Sequence, residues 1–311
     1  MTSSHESTSL SRRSLLAFGG AATAGIAAAT LTATPAWATP SNAGIDRPKD
    51  QGRMLRELRE LEQSSSVRIG VHAVARGERR AFRYRADERF PMCSLFKPIA
   101  AAALVQERGY DDEYWSTPIP FTEDDLVQDS LVLAELDPRQ ASPEQLADAA
   151  IRFSDNTAGN LLLRELGGPS AITAFAASLG ATDTRLDRWE PELNDAVPGD
   201  LRDTTTPDDI ALLYSALILE DAAGVLASSR LREWMLRCQT SGPRIRAGLT
   251  PPYELADKTG GGSYGVVNDA GVLWRPGAAP LTLVILTRTD RPDAVRNNEV
   301  VAEATRIVVG R

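Results

Sequence analysis

Hydrophobic residues recur at helical spacing near both ends of the chain. Between Met54 and Leu61 the apolar residues fall on one side of a helical projection, and the same happens between Val300 and Val308. Such spacing gives a helix one apolar face, which packs inward, and one polar face, which meets water. The pattern therefore predicts an amphipathic helix near each end of the folded chain.

Alternation of apolar and polar residues predicts strands beside these two helices. A turn at Arg76–Glu78 separates the first two strands, which predicts a hairpin. The five strand-like segments are residues 67–75, 80–86, 253–258, 265–274 and 281–288. The simplest arrangement is one antiparallel sheet built from both ends of the chain.

The middle of the chain, residues 93–236, shows helical patterns and long polar loops but no convincing strand. A chain of 311 residues exceeds the usual single core, so two lobes are expected. We predict an α+β protein with a discontinuous sheet domain, residues 39–92 and 237–311, in which helices flank a five-stranded antiparallel sheet. Residues 93–236 are predicted to form an all-helical domain.

The first 38 residues have the features of an export signal. Arg12 and Arg13 precede a weakly apolar, alanine-rich stretch, and Ala36-Trp37-Ala38 has the small residues of a cleavage site. Twin arginines indicate the twin-arginine (Tat) route, whereas the apolar stretch is too short and too rich in glycine and threonine for a membrane span. We expect a secreted protein without stable membrane association, with residues 39–50 as a loose arm.

Composition narrows the classes of partner. The chain is 42% hydrophobic and 24% charged, which is ordinary for a soluble enzyme. Its formal net charge of −8 argues against nucleic acid and anionic membranes as partners. The sequence indicates a monomeric protein that acts on a small molecule.

The first candidate for chemistry is Ser94-x-x-Lys97, at the start of an alanine-rich helical run that ends near Arg108 and Gly109. Residues three apart share a helical face, so the hydroxyl and the amine can meet. A serine needs a base to become a nucleophile, and an amine in an apolar pocket loses its proton more readily. The alternative is a helix cap followed by a surface lysine.

The shortage of histidine excludes several mechanisms. The chain has only His5 and His72, and His72 lies in a predicted strand, where we expect a packed side chain. Residues 261–265 match the G-x-S-x-G elbow, but no histidine follows to complete a triad. Two cysteines and one usable histidine do not supply a zinc site. We therefore predict no metal and no cofactor, with proton transfers by Lys, Glu, Ser or Tyr.

Three further motifs follow in order. Ser154-Asp155-Asn156 precedes a helical run, where it could relay a proton or serve as an ordinary helix cap. A charged loop that contains Glu190 and Asn194 closes at Asp203. Lys258-Thr259-Gly260 ends a predicted strand, and offers a cation and a hydroxyl to a carboxylate.

At these residues the chain resembles the class A serine β-lactamases of actinomycetes. The resemblance rests on Ser94-x-x-Lys97, Ser154-Asp155-Asn156, Glu190-x-x-x-Asn194 and Lys258-Thr259-Gly260, in the order and at the separations of that family. It covers the chain that remains after the signal, and implies the fold shared by serine β-lactamases and penicillin-binding proteins. It also implies hydrolysis of penicillins and cephalosporins, and thus β-lactam resistance.

The resemblance implies a role for each residue. Ser94 attacks the lactam carbonyl, its proton passes to Lys97 or through water to Glu190, and Ser154 protonates the leaving nitrogen. Glu190 and Asn194 position the water that hydrolyses the ester. The oxyanion and substrate contacts come from Ser94, Gly261, Asn156, Lys258, Thr259 and Gly260.

The same resemblance implies which arginine binds the substrate and how the ends of the Glu190 loop are held together. Val267 stands where many members have an arginine on the strand, and Arg244 is the expected substitute, with Arg246 as a competitor. Arg188 and Asp203 are expected to pair across the loop, the alternative being two solvated charges. The Glu190–Pro191 bond is expected to be cis.

Two departures from the family pattern affect the pocket. Asp129 replaces a usually aromatic wall residue, which predicts a more open and more acidic mouth. Cys93 precedes the nucleophile, but the usual disulfide partner position is Gly262, and Cys238 lies elsewhere. We expect two free thiols, because a Tat substrate folds in a reducing cytoplasm.

Two other functions fit part of this pattern. A penicillin-binding D-Ala-D-Ala peptidase shares the three outer motifs but lacks the deacylating glutamate. A non-hydrolysing β-lactam-binding domain would acylate and remain acylated. Glu190-x-x-x-Asn194 argues against both.

Export by the Tat route can be tested directly. Replacing Arg12 and Arg13 by lysine should leave unprocessed precursor inside the cell, because the Tat translocon recognises the arginine pair. Immunoblots of cell and medium fractions measure this outcome. Unchanged secretion of the processed protein would show that another route carries it.

Overall fold

The computed structural model describes residues 48–310, which form an α+β fold. The helices within this range are α1 (Pro48–Ser65), α2 (Phe96–Arg108), α3 (Asp112–Ser116), α4 (Pro143–Asp148), α5 (Asn156–Glu165), α6 (Ser170–Ser178), α7 (Pro207–Leu219), α8 (Val225–Leu236) and α9 (Asn298–Val309). The strands are β1 (Arg68–Ala75), β2 (Phe82–Tyr84), β3 (Phe90–Pro91), β4 (Ile119–Pro120), β5 (Gln140–Ala141), β6 (Thr204–Thr205), β7 (Glu254–Gly261), β8 (Val267–Trp274) and β9 (Leu281–Arg288).

The main sheet has the order β2-β1-β9-β8-β7, and every neighbouring pair is antiparallel. Both ends of the chain contribute, since β1 pairs along its whole length with β9. The predicted α+β class with a five-stranded antiparallel sheet is confirmed. The boundaries of the two predicted domains stay a prediction.

Apolar side chains cover both faces of the sheet. Ile285 of β9 belongs to a cluster with α1 and α9, whereas its neighbours Val284 and Leu286 belong to a cluster with α2. Successive strand residues point to opposite faces, so one buried strand can serve two cores. The sheet is therefore packed between helices on both sides.

Helix α2 lies within the larger core. A 3₁₀ turn over Cys93–Leu95 leads into it, and its residues from Phe96 to Val105 are all buried. Small alanine side chains let neighbouring helices approach closely. On the sheet side, the hydroxyl of Tyr214 in α7 donates to the carbonyl of Leu95 at 3.0 Å. The start of α2 is thus fixed by packing and by a buried hydrogen bond.

Some sequence expectations require correction. Helix α1 begins at Pro48, so the last residues of the expected arm at 39–50 are helical; proline is tolerated in a first helical turn. Strand β2 covers only Phe82–Tyr84 of the predicted 80–86. Residues 93–236 do contain strands, but β4, β5 and β6 have two residues each, too short to produce an alternation. The expected signal segment, residues 1–38, lies outside the described residues.

No helix between residues 48 and 310 has the length and apolar character needed to cross a membrane.

Candidate active site

A cleft of about 580 Å³ lies beside the start of α2 and the end of β7. Its walls include most of the site residues expected from sequence: Ser94, Ser154, Asn156, Asn194, Arg244, Thr259, Gly260 and Gly261. The other three, Lys97, Glu190 and Lys258, are almost completely buried and contact the wall residues from behind. All four motifs therefore meet at one place.

Ser94 lies in the 3₁₀ turn that precedes α2, and its Oγ is 3.4 Å from Oε1 of Glu190. The residue at the start of α2 is Leu95, which has no side-chain cap, so Ser94 does not cap the helix. Lys97 is fully buried. The alternative of a helix cap followed by a surface lysine is therefore wrong.

Lys97 is held by three acceptors. Its Nζ donates to the carbonyl of Ser154 and to Oδ1 of Asn156, both at 2.8 Å, and lies 3.2 Å from Oε1 of Glu190. Gly159 of α5 makes room for it, because a Cβ there would lie 2.8 Å from Cε of Lys97. No hydrogen bond within residues 48–310 joins Lys97 directly to Ser94. Both instead contact the same oxygen of Glu190.

Glu190 is fixed through its backbone as well as its carboxylate. The amide of Asn160 in α5 bonds to both the N–H and the carbonyl of Glu190 at 2.9 Å. Asn194 Nδ2 donates to the second carboxylate oxygen, Oε2. The Glu190–Pro191 peptide bond is cis, as expected. Sequence reasoning missed Asn160, whose only signal was its place one turn after Asn156.

Ser154 contacts the second buried lysine. It follows a π-helical turn and has a left-handed backbone with φ of 63°, an uncommon conformation for a residue other than glycine. Its Oγ accepts from Nζ of Lys258 at 3.0 Å. Burial, and next the charge of Lys97, lower the pKa of Lys258 to about 7.

The helix cap that follows Ser154 is made by its neighbour. Asp155 accepts from the N–H of Ala158 at 2.8 Å and so caps α5, and it also accepts from the N–H groups of Val132 and Leu133. Ser154 is therefore free of a capping role. The helix-cap alternative therefore applies to Asp155, and the proton relay by Ser154 stays a prediction.

Asn156 joins the lysine to the opposite wall. Its Oδ1 accepts from Lys97, and its Nδ2 donates to the carbonyl of Gln128 at 2.9 Å. An amide nitrogen carries two hydrogens, so one remains for a ligand.

Strand β7 forms the sheet side of the cleft. Thr259 Oγ1 lies 2.5 Å from Oγ1 of Thr240, a wall residue that the sequence did not single out. Gly260 lets the strand approach the turn before α2, because a Cβ there would lie 3.1 Å from the carbonyl of Met92. At the end of the strand, Ser263 N–H donates to the carbonyl of Asn194 at 2.9 Å. This bond joins the Glu190 loop to the sheet.

The two candidate arginines lie in different places. Arg244 lines the cleft, and its Nη1 donates to the carbonyls of Gly260 and Asn268, both at 2.7 Å. Burial lowers the pKa of its guanidinium. Arg246 instead bonds to Ser241, Leu255 and Asp257, and is not part of the cleft wall.

A further arginine, Arg296, lines the cleft and was missed. Its Nε donates to the carbonyl of Gly262 at 3.3 Å. It precedes α9 in a polar loop, where nothing in the local pattern distinguishes it. Val267 is buried and apolar, so it supplies no cation.

The mouth of the cleft is open and acidic. Asp129 is exposed at its wall, together with Glu192 and Asp195, and Leu131 is 71% exposed.

His72 lies elsewhere, with Nδ1 2.7 Å from Asp208. No three histidine, cysteine or acidic side chains within residues 48–310 converge in a metal-binding arrangement.

Both cysteines are buried free thiols, as expected. Burial raises the pKa of Cys93 to about 12. Its Sγ faces Gly262, where a Cβ would lie 3.0 Å away.

The ends of the Glu190 loop are tied together by Asp203. This buried carboxylate accepts from Arg188 Nε at 2.6 Å and from the N–H groups of Asp187 and Arg188. The pair is thus not two solvated charges.

The tie at Asp203 gives a testable prediction. Asp203→Ala leaves buried donors unpaired, so residues 188–203 should open locally, which requires less free energy than global unfolding. We expect faster hydrogen exchange in that segment. The loss of Tm should be small, because the rest of the fold keeps its contacts. Asp200→Ala, which removes an exposed ion pair to Arg202 in the same loop, is the control and should have little effect. Unchanged exchange in the Asp203 variant would contradict the prediction.

Comparison with known proteins gives one family. The model of the Beta-lactamase enzyme family matches residues 53–311. A β-lactamase of Streptomyces albus G is 45% identical over 98% of both chains, and one of Streptomyces lavendulae is 46% identical over 96% of both. The solved structure of the Streptomyces albus G enzyme covers 82% of this chain and 98% of its own, with a TM-score of 0.80. A β-lactamase structure from Desulfarculus baarsii DSM 2075, 38% identical, has the same TM-score and covers 83% of this chain and 97% of its own. The chain therefore belongs to the β-lactamase enzyme family, as a class A member of the actinomycete type.

Proposed function

We propose that this enzyme hydrolyses the β-lactam ring of penicillins and cephalosporins through a serine acyl-enzyme, and so confers β-lactam resistance. One observation carries the proposal: the carboxylate of buried Glu190 contacts both Ser94 and Lys97. The nucleophile Ser94 and the cation Lys97 thus contact the same carboxylate, and that carboxylate can act as a base on water. The family assignment supports the same reaction.

Acylation begins at Ser94. Lys97 Nζ has three oxygen neighbours, the arrangement of an ammonium that donates three hydrogens, and such a group cannot accept another proton. Glu190 is 3.4 Å from the hydroxyl and can accept its proton directly or through water. This geometry favours Glu190 as the acylation base, with Lys97 as the charge that stabilises it.

Binding and oxyanion stabilisation fall to the cleft wall. The N–H groups of Ser94 and Gly261 are proposed to hold the oxyanion, each worth about 10²–10³ in rate. Asn156 is proposed to bind the side-chain amide of the substrate. Lys258 and Thr259 bind the carboxylate, and Gly260 keeps the backbone close to it.

Departure of the lactam nitrogen needs a proton from Ser154. Because Lys258 donates to Ser154 Oγ, the hydroxyl hydrogen of Ser154 is left for the nitrogen. A lysine whose pKa lies near 7 exchanges protons readily at neutral pH, so Lys258 is suited to restore that hydrogen.

Hydrolysis of the ester distinguishes this function from its alternatives. Glu190 and Asn194 are hydrogen-bonded to each other beside Ser94 and are proposed to orient the attacking water. A D-Ala-D-Ala peptidase or a non-hydrolysing binding domain would have no need of this carboxylate. Its position therefore favours a β-lactamase.

We also propose export by the Tat route, with cleavage near Ala38, and action as a monomer on a small molecule rather than on nucleic acid. The twin arginines and the acidic net charge support these points. The division into a sheet domain (39–92 and 237–311) and a helical domain (93–236) remains part of the same proposal.

The decisive experiment separates the two chemical steps. Glu190→Ala should react with a penicillin more slowly than the wild type, because water must then accept the serine proton, but hydrolysis of the ester should be slowed far more. Mass spectrometry should then show accumulation of covalent penicilloyl-enzyme, whereas Ser94→Ala should show none. Unchanged steady-state turnover in Glu190→Ala would remove this residue from the mechanism.

The two arginines give a second kinetic prediction. A charge-assisted contact contributes about 1.5–3 kcal/mol, so Arg244→Ala should lower kcat/KM on penicillins by about 10- to 100-fold. Arg246→Ala should change kcat/KM much less and act mainly on Tm, because it leaves the buried carboxylate of Asp257 without its partner. The reverse ranking would show that Arg246 binds the substrate.

A further inference from the structure

Two aspartates meet under the segment that carries Arg244. Asp257 on β7 pairs in register with Gly271 on β8, and Asp269 lies two residues before Gly271 on the same face. Both carboxyl groups are fully buried. Gly271 makes their approach sterically feasible, because a Cβ there would lie 2.7 Å from Cβ of Asp257.

Each carboxyl group has one oxygen satisfied from outside the pair. Asp257 Oδ1 accepts from Arg246 Nη2 at 2.7 Å, and Asp269 Oδ2 accepts from the N–H of Ile245 at 3.1 Å. The remaining oxygens, Asp257 Oδ2 and Asp269 Oδ1, are buried and have no donor among the other described residues. The register places the two side chains diagonally across β7 and β8 on one buried face, and each carboxyl group acts on the pKa of the other, as the hydroxyl of Ser241 does on that of Asp257.

Two ionised carboxylates can only accept hydrogen bonds, so neither could satisfy the other. A single proton turns one group into a donor and pairs both free oxygens. We propose that Asp257 and Asp269 share one proton, and that this pair positions Arg244 for the substrate carboxylate. Burial, together with the neighbouring aspartate, also holds the pKa of Asp269 well above its usual value, and burial raises that of Asp257.

The groups around the pair fit one remaining negative charge. Arg246 forms an ion pair with Asp257, and the charge of Arg244 acts on Asp269. The other polar or titratable groups near the pair are Ser241, Cys238, Tyr214 and Lys258, and only Lys258 adds a further positive charge. If both carboxyl groups were ionised, the second negative charge would lie in a fully buried site. Its neighbours Tyr214 and Cys238 are neutral and cannot balance that charge, so it would be costly.

The contacts of the pair lie directly behind Arg244. Asp269 holds residue 245 and Asp257 holds residue 246, while Arg244 itself bonds to Gly260 and Asn268 on the same two strands. The pair thus anchors the chain that follows the guanidinium. Its role in positioning rests on the proposed function, whereas the shared proton does not.

The shared proton can be tested through stability. The folded pair keeps a proton that the unfolded chain has lost above about pH 4, so the raised pKa makes wild-type stability fall as pH rises towards the folded value. Asp269→Asn replaces the proton by an amide hydrogen, and the amide oxygen, standing in the place of Asp269 Oδ2, can still accept from the N–H of Ile245. The difference in Tm, variant minus wild type, should therefore increase between about pH 5 and pH 9.

An exposed aspartate provides the control for this experiment. Asp87→Asn, an exposed site without a side-chain partner among the described residues, should give no pH-dependent difference. Asp257→Asn is the second variant and should behave like Asp269→Asn. A constant difference across this range in both Asn variants would mean that no proton is held, and would overturn the proposal.

Infrared spectroscopy tests the proton without reliance on a variant that folds poorly. Wild-type enzyme at neutral pH should show the carbonyl band of a buried protonated carboxylic acid, and Asp269→Asn should lose it. If neither variant folds, the wild-type spectrum decides: absence of the band overturns the proposal, and its presence supports it.

Positioning is tested by kinetics with a penicillin. Asp269→Ala loses both hydrogen bonds and should lower kcat/KM by about three- to tenfold, mainly through KM, because the arginine that binds the carboxylate is displaced. Asp269→Asn should stay within about twofold of wild type. A wild-type KM in the Ala variant would overturn the positioning role. Failure of the wild-type enzyme to hydrolyse any β-lactam would refute the proposed function but leave the stability and infrared results intact.

Discussion

The buried contact between Lys97 and Glu190 is the constraint on which the site depends. Both side chains are fully removed from water, and the cost of that desolvation exceeds the attraction of the two charges unless other groups satisfy them. Here the satisfying groups come from two further parts of the chain: the carbonyl of Ser154 and the amide of Asn156 at the start of α5, and the amide of Asn194 in the Glu190 loop. Helix α2, the turn before α5 and the Glu190 loop must therefore be placed together for any of them to be stable. The arrangement of the site residues therefore depends on the packing of the helices and loops that carry them.

Cations dominate the interior of the cleft, and each is balanced differently. Lys97 has a carboxylate within 3.2 Å, whereas Lys258 has hydrogen bonds to Ser154 and Thr259 and a second lysine nearby. Burial without a directly paired anion lowers the pKa of Lys258, which therefore releases its proton more readily than a solvated lysine. Arg244 is hydrogen-bonded to carbonyls rather than to carboxylates, and the charge nearest to balancing it is that of the buried Asp269 behind it. The interior of the cleft is thus rich in cations, while its mouth, with Asp129, is acidic.

The Glu190 loop depends on the sheet and on α5 as much as on its own residues. Asp203 closes it, Asn160 holds the backbone of Glu190, and Ser263 at the end of β7 holds the carbonyl of Asn194. These fixed points surround the carboxylate of Glu190 from different directions. A loop held in this way keeps Glu190 beside Ser94 without a helix or a strand of its own, since the 3₁₀ turn at Glu192–Asn194 is its only regular element among the described residues.

The sequence alone determined the elements and the chemical types. Helical spacing and strand alternation predicted α1, α9 and the strands of the main sheet. An element that buries one face needs apolar residues at regular intervals, and these intervals can be seen in the local sequence. The shortage of histidine left few groups able to move protons, and the motifs, with the family resemblance that they carry, then singled out Ser94, Lys97, Ser154 and Glu190. Tertiary structure alone distinguished the surroundings of Arg244, which lines the cleft, from those of Arg246, which stands two residues later and bonds to Ser241, Leu255 and Asp257 away from the cleft wall. It alone revealed Asn160, Thr240, Arg296 and the Asp257–Asp269 pair. Their positions follow from which segments, distant in sequence, lie side by side, and no local pattern records that.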